Sequence, residues 1–437
     1  MDNLSPSMGQ KMLYLSRVRL NNVRCFNELD LKLSGNDNPA GWTVFVGDNA
    51  TGKSTLLRSI AMGLCDEASA AGLLKESDEG YIRRGQSQAQ IDIELRDRLK
   101  PNTTFRITTS VIRKQGVRGI FSDIVRQKTS PPRESFPWDE IFVAGYGSGR
   151  GVAGTGDIST YSSIDAVYNM FNYNEGLQNP ELTIRRITEG SQKKDREIFQ
   201  ILQRVTRTSS IRLTRRGILV DGPWGKGMPL RDLSDGYRSV FIWLTDLIGW
   251  ALTFKPTLRG PKGIRGIVLI DEVEQHLHAR WQRTVVNDLR EMMPNVQYVT
   301  TTHSPLVASS VGHYMSDQQS DRLFVLEATE QNAITAAPHA FMKGWRMDQV
   351  LASRAFKYQI ETDPDYEKAF RVASALLSKG SRTAEEETFL QAFKDRIRDS
   401  MGEETSPIEQ LAEKELIESN RHKIEELERK LFPGEQE

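Results

Sequence analysis

Gly47-Asp48-Asn49-Ala50-Thr51-Gly52-Lys53-Ser54, followed by Thr55, gathers two glycines, a lysine and three hydroxyls into one short loop. Glycines let successive backbone N–H groups wrap an anion at a helix start. Lys53 adds a cation for β- and γ-phosphates, and the Ser54 hydroxyl suits Mg²⁺. A second stretch, Ile267-Val268-Leu269-Ile270-Asp271-Glu272, is a run of four apolar residues ending in two acids. Asp271 would emerge beside the phosphates on the metal side, and Glu272 could orient and polarise an attacking water. Leu233-Ser234-Asp235-Gly236 opens an apolar helix whose first N–H groups would face an anion. Ser and Asp at such a place are also ordinary helix caps, so this phrase is weak alone. His303, just past Tyr298-Val299-Thr300-Thr301-Thr302, is placed for a γ-phosphate contact. Taken in this order, the four phrases describe chemistry on ATP with Mg²⁺.

The elements around them must hold them in place. Trp42 to Val46 is a short apolar run feeding the glycine loop, and Leu56, Leu57, Ile60, Ala61 and Leu64 follow at helical spacing. Strand, loop and helix are the context the loop requires. Alternation at Leu29, Leu31 and Leu33, at Ile91, Ile93 and Leu95, and at Phe105, Ile107 and Thr109 predicts antiparallel strands flanking the site. Gln127 to Trp138 reads as a loop, and Ile141 to Ala144 as a strand leading into the glycine-rich run Gly145 to Thr155, expected to be mobile. Ser163 to Val205 reads as a helical lobe, and Ile211 to Val220 as strand. Leu323 to Leu326 reads as the strand that closes the sheet. In the tail, Ser406, Pro407 and Glu409 form a helix start, with Ile417, Ile424, Leu427 and Leu431 along one amphipathic face.

Bulk composition narrows the classes. With 437 residues the chain is long enough for two or three domains, and 58 basic against 58 acidic residues leave no global basic field for nucleic acid. Two cysteines, Cys25 and Cys65, are too few for a disulfide framework and suit a reducing cytoplasm, the expected location. The opening residues carry no apolar leader core. Ser239 to Phe254 imitates a membrane span but is short and carries Asp246 at its middle, so a buried core helix is expected and no membrane partner. Glu274, His276 and His278 lack further ligands at metal spacing. The arginine pairs 83–84, 185–186 and 215–216 are expected on solvated surface, leaving DNA open as a partner.

These phrases, with the opening Val18-Arg19-Leu20-Asn21-Asn22-Val23-Arg24-Cys25-Phe26, resemble the ABC-class ATPases of the RecF, SMC and OLD-like lineage. Asp271 to His278 and Thr301-Thr302-His303-Ser304-Pro305 are similar to the Walker B, D-loop and switch phrases of small ATPases in anti-phage defence loci, including Septu-like and retron-linked ones. The resemblance implies an α/β fold: an ABC-type P-loop head of mixed sheet, antiparallel β subdomain and inserted helical lobe, plus a helical C-terminal region. It also implies a head-to-tail homodimer around two shared ATPs, and leaves a higher oligomer open. Residues 47–55 would hold the nucleotide, Ser54 and Asp271 the Mg²⁺, and Lys53, Glu272 and His303 the reacting phosphate. Leu233, Ser234, Asp235 and Gly236 would act in trans. Asp235 and Tyr237 depart from the usual signature, and Gly145-Tyr146-Gly147 fills the place of the Q-loop glutamine. No Toprim constellation follows Ser304, so a nuclease effector would be a separate protein. A RecF-like DNA clamp is the alternative; a transporter subunit and a slow ATP-gated scaffold rank lower. The expected domains are a flexible N-terminus at 1–11, an ATPase core at 12–344 with the lobe at about 160–208, and a helical region at 345–437.

Overall fold

The computed structural model describes residues 11–33, 41–76, 80–115, 121–157, 159–188, 192–215, 217–258, 260–312, 321–329, 333–357, 368–369, 371–373, 375–376, 379 and 382–400. The segment 1–10 and the tail phrases at Ser406, Pro407, Glu409, Ile417, Ile424, Leu427 and Leu431 lie outside them, as does Arg216. In chain order the elements are β1 (Leu13–Val23), β2 (Phe26–Lys32), β3 (Trp42–Gly47), α1 (Lys53–Leu64), α2 (Glu67–Lys75), β4 (Gln88–Asp97), β5 (Lys100–Gln115), β6 (Phe121–Ser130), β7 (Val143–Tyr146), α3 (Ser163–Val167), α4 (Pro180–Thr188) and α5 (Gln192–Thr206). Then follow β8 (Ser210–Thr214), β9 (Gly217–Gly222), β10 (Gly225–Pro229), α6 (Asp235–Phe254), β11 (Arg265–Ile270), α7 (Ala279–Gln282), α8 (Val285–Met292), β12 (Asn295–Thr301), α9 (Pro305–Ala308), β13 (Arg322–Ala328), β14 (Ile334–Pro338), α10 (Met347–Ala352) and α11 (Ala384–Ser400). The chain divides into two compact units, 1–358 and 359–437.

In the first unit a six-stranded mixed sheet has the order β14-β13-β3-β12-β11-β7, parallel except for the β13–β14 pair. Its central strands are buried on both faces, which is why they read as continuous apolar runs. Val44, Val46, Val268 and Ile270 face a core shared with α4, α5, α6 and α8, whereas Phe45, Ile267, Leu269 and Val299 face one shared with α1. An antiparallel sheet, β2-β1-β4-β5-β6, covers the α1 side of that second core. Gln297 joins the two sheets: its Oε1 accepts from the Leu15 amide at 2.7 Å and its Nε2 donates to the Leu15 carbonyl at 2.9 Å. The lobe of α3, α4 and α5 sits between β7 and β8, and β8, β9 and β10 form a small meander.

Three sequence expectations change. Gln127 to Ser130 is strand, not loop, because β6 is the outer edge of the antiparallel sheet. Arg126 and Lys128 point to solvent there, so the apolar alternation that marks a half-buried strand is missing. β7 begins at Val143 and takes in Gly145 and Tyr146, which pair in parallel with β11. Leu323 to Leu326 does not close the sheet, since β14 adds outside it.

Helix α6 is buried from Ser239 to Leu252 and contains Asp246. No helix among the described residues is long and apolar enough to cross a membrane. Asp246 accepts hydrogen bonds from the Tyr146 hydroxyl at 2.9 Å and the Gln178 amide at 3.0 Å. These tie the helix to β7 and to the start of α4. In the second unit, Val372, Ala373, Leu376 and Leu390 form a small core, and Thr383 and Glu386 exchange hydrogen bonds at the start of α11.

Burial pushes the Asp246 carboxyl up to about 6 despite these donors. The folded protein therefore holds this proton more tightly than the unfolded chain does, near its ordinary 3.8. The residue's contribution to stability is fully present below that value and is lost as pH rises through about 6. Asp246→Asn cannot ionise. Urea midpoints of wild type and variant, compared between pH 4 and 7, should shift in the variant's favour by on the order of 2 kcal/mol. A pH-independent difference would show that Asp246 titrates normally.

Candidate active site

Three strand ends converge. β3 pairs with β12 through Phe45 and Thr301, and β12 pairs with β11 through Thr300 and Ile270. Gly47, Asp271 and His303 therefore leave neighbouring strands at one edge of the sheet, the carboxyl edge where open parallel sheets bind ligands.

The loop after β3 is held by backbone conformations that two glycines make accessible. Gly47 has φ +151°, and a Cβ there would lie 2.4 Å from the Leu326 carbonyl oxygen. Gly52 has φ +84° at the cap of α1, and a Cβ would lie 2.5 Å from Cys25 Sγ and 2.8 Å from the Phe26 ring. The Thr51 hydroxyl closes the turn on the Asp48 carbonyl at 2.8 Å. Lys53 is buried and its Nζ donates to the Gly47 and Asp48 carbonyls, both at 2.8 Å. Burial lowers the lysine's pKa, and the nearby Asp271 and Glu272 oppose that shift. The cation is thus held inside the loop, curled against its own carbonyls, while Asp48, Asn49 and Ala50 remain exposed.

On the next strand, the Asp271 amide donates to the Tyr146 carbonyl at 2.8 Å. Its Oδ1 accepts from the Thr301 hydroxyl at 2.5 Å, and that same hydroxyl oxygen accepts the Glu272 amide at 2.7 Å. Glu272 itself has φ +49°, a left-handed backbone that costs a residue other than glycine about 1–3 kcal/mol. The Glu272 carbonyl, in turn, accepts from Arg150 Nη2 at 2.6 Å. Glu274 takes the His303 amide at 2.6 Å on one oxygen and the Thr302 hydroxyl at 2.6 Å on the other. His303 is therefore positioned through its backbone and is itself exposed. Both Glu274 oxygens are thereby committed to the turn at Thr302 and His303. His278 accepts from the Arg280 amide at the start of α7, and no group of three metal-binding side chains occurs among the described residues. Ser54 and Asp271 are hard oxygen donors beside the lysine, a donor set that fits Mg²⁺.

Leu233 is buried but Ser234 and Asp235 are exposed. Ser234 occupies the cap position of α6 without making a side-chain cap bond, and Asp235 pairs with Arg238 at 2.6 Å. Gly236 packs against the D-loop: a Cβ there would lie 2.7 Å from the His276 carbonyl oxygen. Among the described residues no hydrogen bond links 233–236 to 47–55. Structure thus assembles Gly47 to Thr55, Asp271, Glu272 and His303, and leaves the signature facing outward.

Arg150, Thr301 and the contacts of Glu274 with Thr302 and His303 are additions. The glycine-rich run expected to be mobile contains Arg150, which is fully buried and bonded to the strand beside it. Of the arginine pairs, Arg83 donates to the Cys25 carbonyl and Arg186 pairs with Asp157.

The glycine loop followed by a helix, and the paired acids at the end of a parallel strand, are the site features of P-loop ATPases. Two family models match, "AAA domain, putative AbiEii toxin, Type IV TA system" over residues 161–309 and "AAA domain" over residues 17–211. The chain is similar to the Septu protein PtuA of Bacillus mycoides, 24% identical over 396 residues, covering 89% of this chain and 51% of that one. It is also similar to the "Retron Vc95 probable ATPase" of Vibrio cholerae, 38% identical over 87 residues, 20% of this chain and 17% of that one. The chain spans about half the length of the Septu relative. Among solved structures, the SMC head domain from Thermotoga maritima aligns over 75% of this chain and 99% of its own, with 14% identity and a TM-score of 0.42.

Thr301→Val removes the one hydroxyl that serves both acids while keeping a β-branched side chain in β12. The Glu272 amide is then left unpaired, and a stability loss of about 1–3 kcal/mol is expected from urea unfolding. An unchanged midpoint would mean the amide finds another partner.

Proposed function

We propose that this chain binds Mg-ATP at residues 47–55 and hydrolyses it, that two copies close head-to-tail around the nucleotide, and that the cycle regulates a separate effector in anti-phage defence. The observation that carries the reading is the split site. Lys53, Asp271, Glu272 and His303 share one sheet edge, while the start of α6 is exposed and unattached to that loop.

Backbone N–H groups of the loop would cradle the β- and γ-phosphates, and Lys53 would exchange its two loop carbonyls for phosphate oxygens. Ser54 and Asp271 would hold Mg²⁺, which when bound neutralises phosphate charge. Glu272 would orient a water and take its proton, and His303 would touch the γ-phosphate from the switch turn. In the second copy, Ser234 and the first N–H groups of α6 would meet that phosphate from the other side. Asp235 brings a negative charge to that surface, and its pairing with Arg238 offsets it.

The defence role draws on the Septu and retron relatives, and a nuclease is the effector proposed. Recovery of a nuclease with the tagged full chain from its native host would support this; infected and uninfected cells that both yield none would count strongly against it. Salt-sensitive, ATP-dependent DNA binding without any protein partner would instead favour a DNA clamp.

Glu272→Gln should abolish phosphate release, by at least about a hundredfold, while ATP affinity stays within about threefold. Light scattering with Mg-ATP should then show a persistent dimer. Equal turnover in the variant would remove Glu272 as the base, and full turnover by a strictly monomeric wild type would remove the shared site.

A further inference from the structure

Arg150 is the one fully buried guanidinium among the described residues, and it is spent on backbone. Nη1 donates to the Gly147 carbonyl at 3.1 Å, to the Asp271 carbonyl at 2.7 Å and to Gln275 Oε1 at 3.4 Å. Nη2 donates to the Glu272 carbonyl at 2.6 Å and to the Gln275 carbonyl at 3.4 Å. Burial draws the arginine's pKa down to about 10, and Glu274, Asp271 and Glu272 oppose that shift. A cation placed there at such a desolvation cost demands a reason beyond charge pairing.

We infer that Arg150 is a positioning residue for hydrolysis, setting the backbone of Glu272 and of the turn that follows it so that the carboxylate points at the reacting phosphate. The reading rests on the hydrolysis proposed above. Glu272 is held from two sides in its left-handed conformation: Thr301 takes its amide and Arg150 its carbonyl. The same guanidinium bonds the Asp271 and Gln275 carbonyls, so it spans the turn from the metal-side acid to the D-loop. A planar fork can serve these diverging acceptors at once, whereas an ammonium is a point donor that cannot match them.

The position of Arg150 in its loop adds a route inward. Gly147, three residues earlier, donates its amide to Asn169 Oδ1 at 3.0 Å, and Tyr146 before it bonds Asp246 in α6. A shift of the signature helix would be felt at the base through this short chain of contacts. The loop takes the place where a Q-loop glutamine is expected, and it acts on the acid turn through backbone.

The test compares wild type, Arg150→Lys and Gln275→Ala in steady-state turnover and in equilibrium binding of a fluorescent ATP analogue. The lysine variant should lose at least about tenfold in kcat with KM and analogue affinity within about threefold, the split expected of a group that acts only on the chemical step. In a Glu272→Gln background the same change should alter the residual turnover by less than about twofold, because both act through one carboxylate. Unchanged kcat, a raised KM with preserved kcat, or an equal loss in the Glu272→Gln background would each overturn the inference. Should the lysine variant fail to fold, Gln275→Ala, which deletes only a rim acceptor, must still lower kcat at least about twofold at constant KM, and its failure to do so decides against. Absence of turnover in the wild type would sink hydrolysis and this inference together, whereas an active wild type with an equally active lysine variant sinks this inference alone.

Discussion

A single left-handed residue organises the working edge of this protein. Glu272 at φ +49° turns the chain just past the end of β11, while the Asp271 amide before it still bonds the Tyr146 carbonyl on β7. Such a conformation persists only where the surroundings over-determine it. Here they do: the amide is taken by Thr301, the carbonyl by Arg150, and the next amide, Val273, by the Thr301 carbonyl at 3.0 Å. One strand end and one buried cation thus converge on the two peptide units that flank Glu272.

The rest of the architecture can be understood as support for that turn and for the loop facing it. β12 delivers Thr301 because it runs parallel to both β3 and β11, so its end lies between the glycine loop and the acids. β7 delivers Arg150 because it flanks β11 on the other side. The two cores that sandwich the sheet fix these strands rigidly, as close-packed interiors do. Gln297 prevents the antiparallel sheet, which covers α1, from sliding against β12.

Much of this was legible in the residues, for reasons that differ by element. β3 and β11 are buried on both faces and so wrote themselves as apolar runs, and α6 did the same because it is buried along most of its length. The glycine loop was legible because its φ values and the close approach of Leu326 and Cys25 require glycine. β6 was not, because an edge strand with solvent-facing Arg126 and Lys128 lacks alternation. Arg150 was hidden for a different reason. A lone arginine among glycines looks like exposed loop, and only the fold reveals that the glycines let the loop lie flat: a Cβ at Gly149 would meet the Tyr173 carbonyl oxygen at 2.3 Å. Glu274 and Thr301 were likewise visible as letters but not as partners, since their contacts cross 28 to 30 residues of chain.

The separation between a finished half and an outward-facing signature has an energetic consequence under the proposed mechanism. The loop, the acids and the His303 turn are held by hydrogen bonds within one chain, so nucleotide can bind to a protomer with Lys53 exchanging its loop carbonyls for phosphate. The signature contributes only when a second copy arrives, and any nucleotide that binds the closed pair better than the open one stabilises that pair by its difference in affinity. Hydrolysis removes that difference. The lifetime of the closed state is then governed by how well Glu272 is aimed, which places the timing of the assembly in the hands of the residues that hold its backbone.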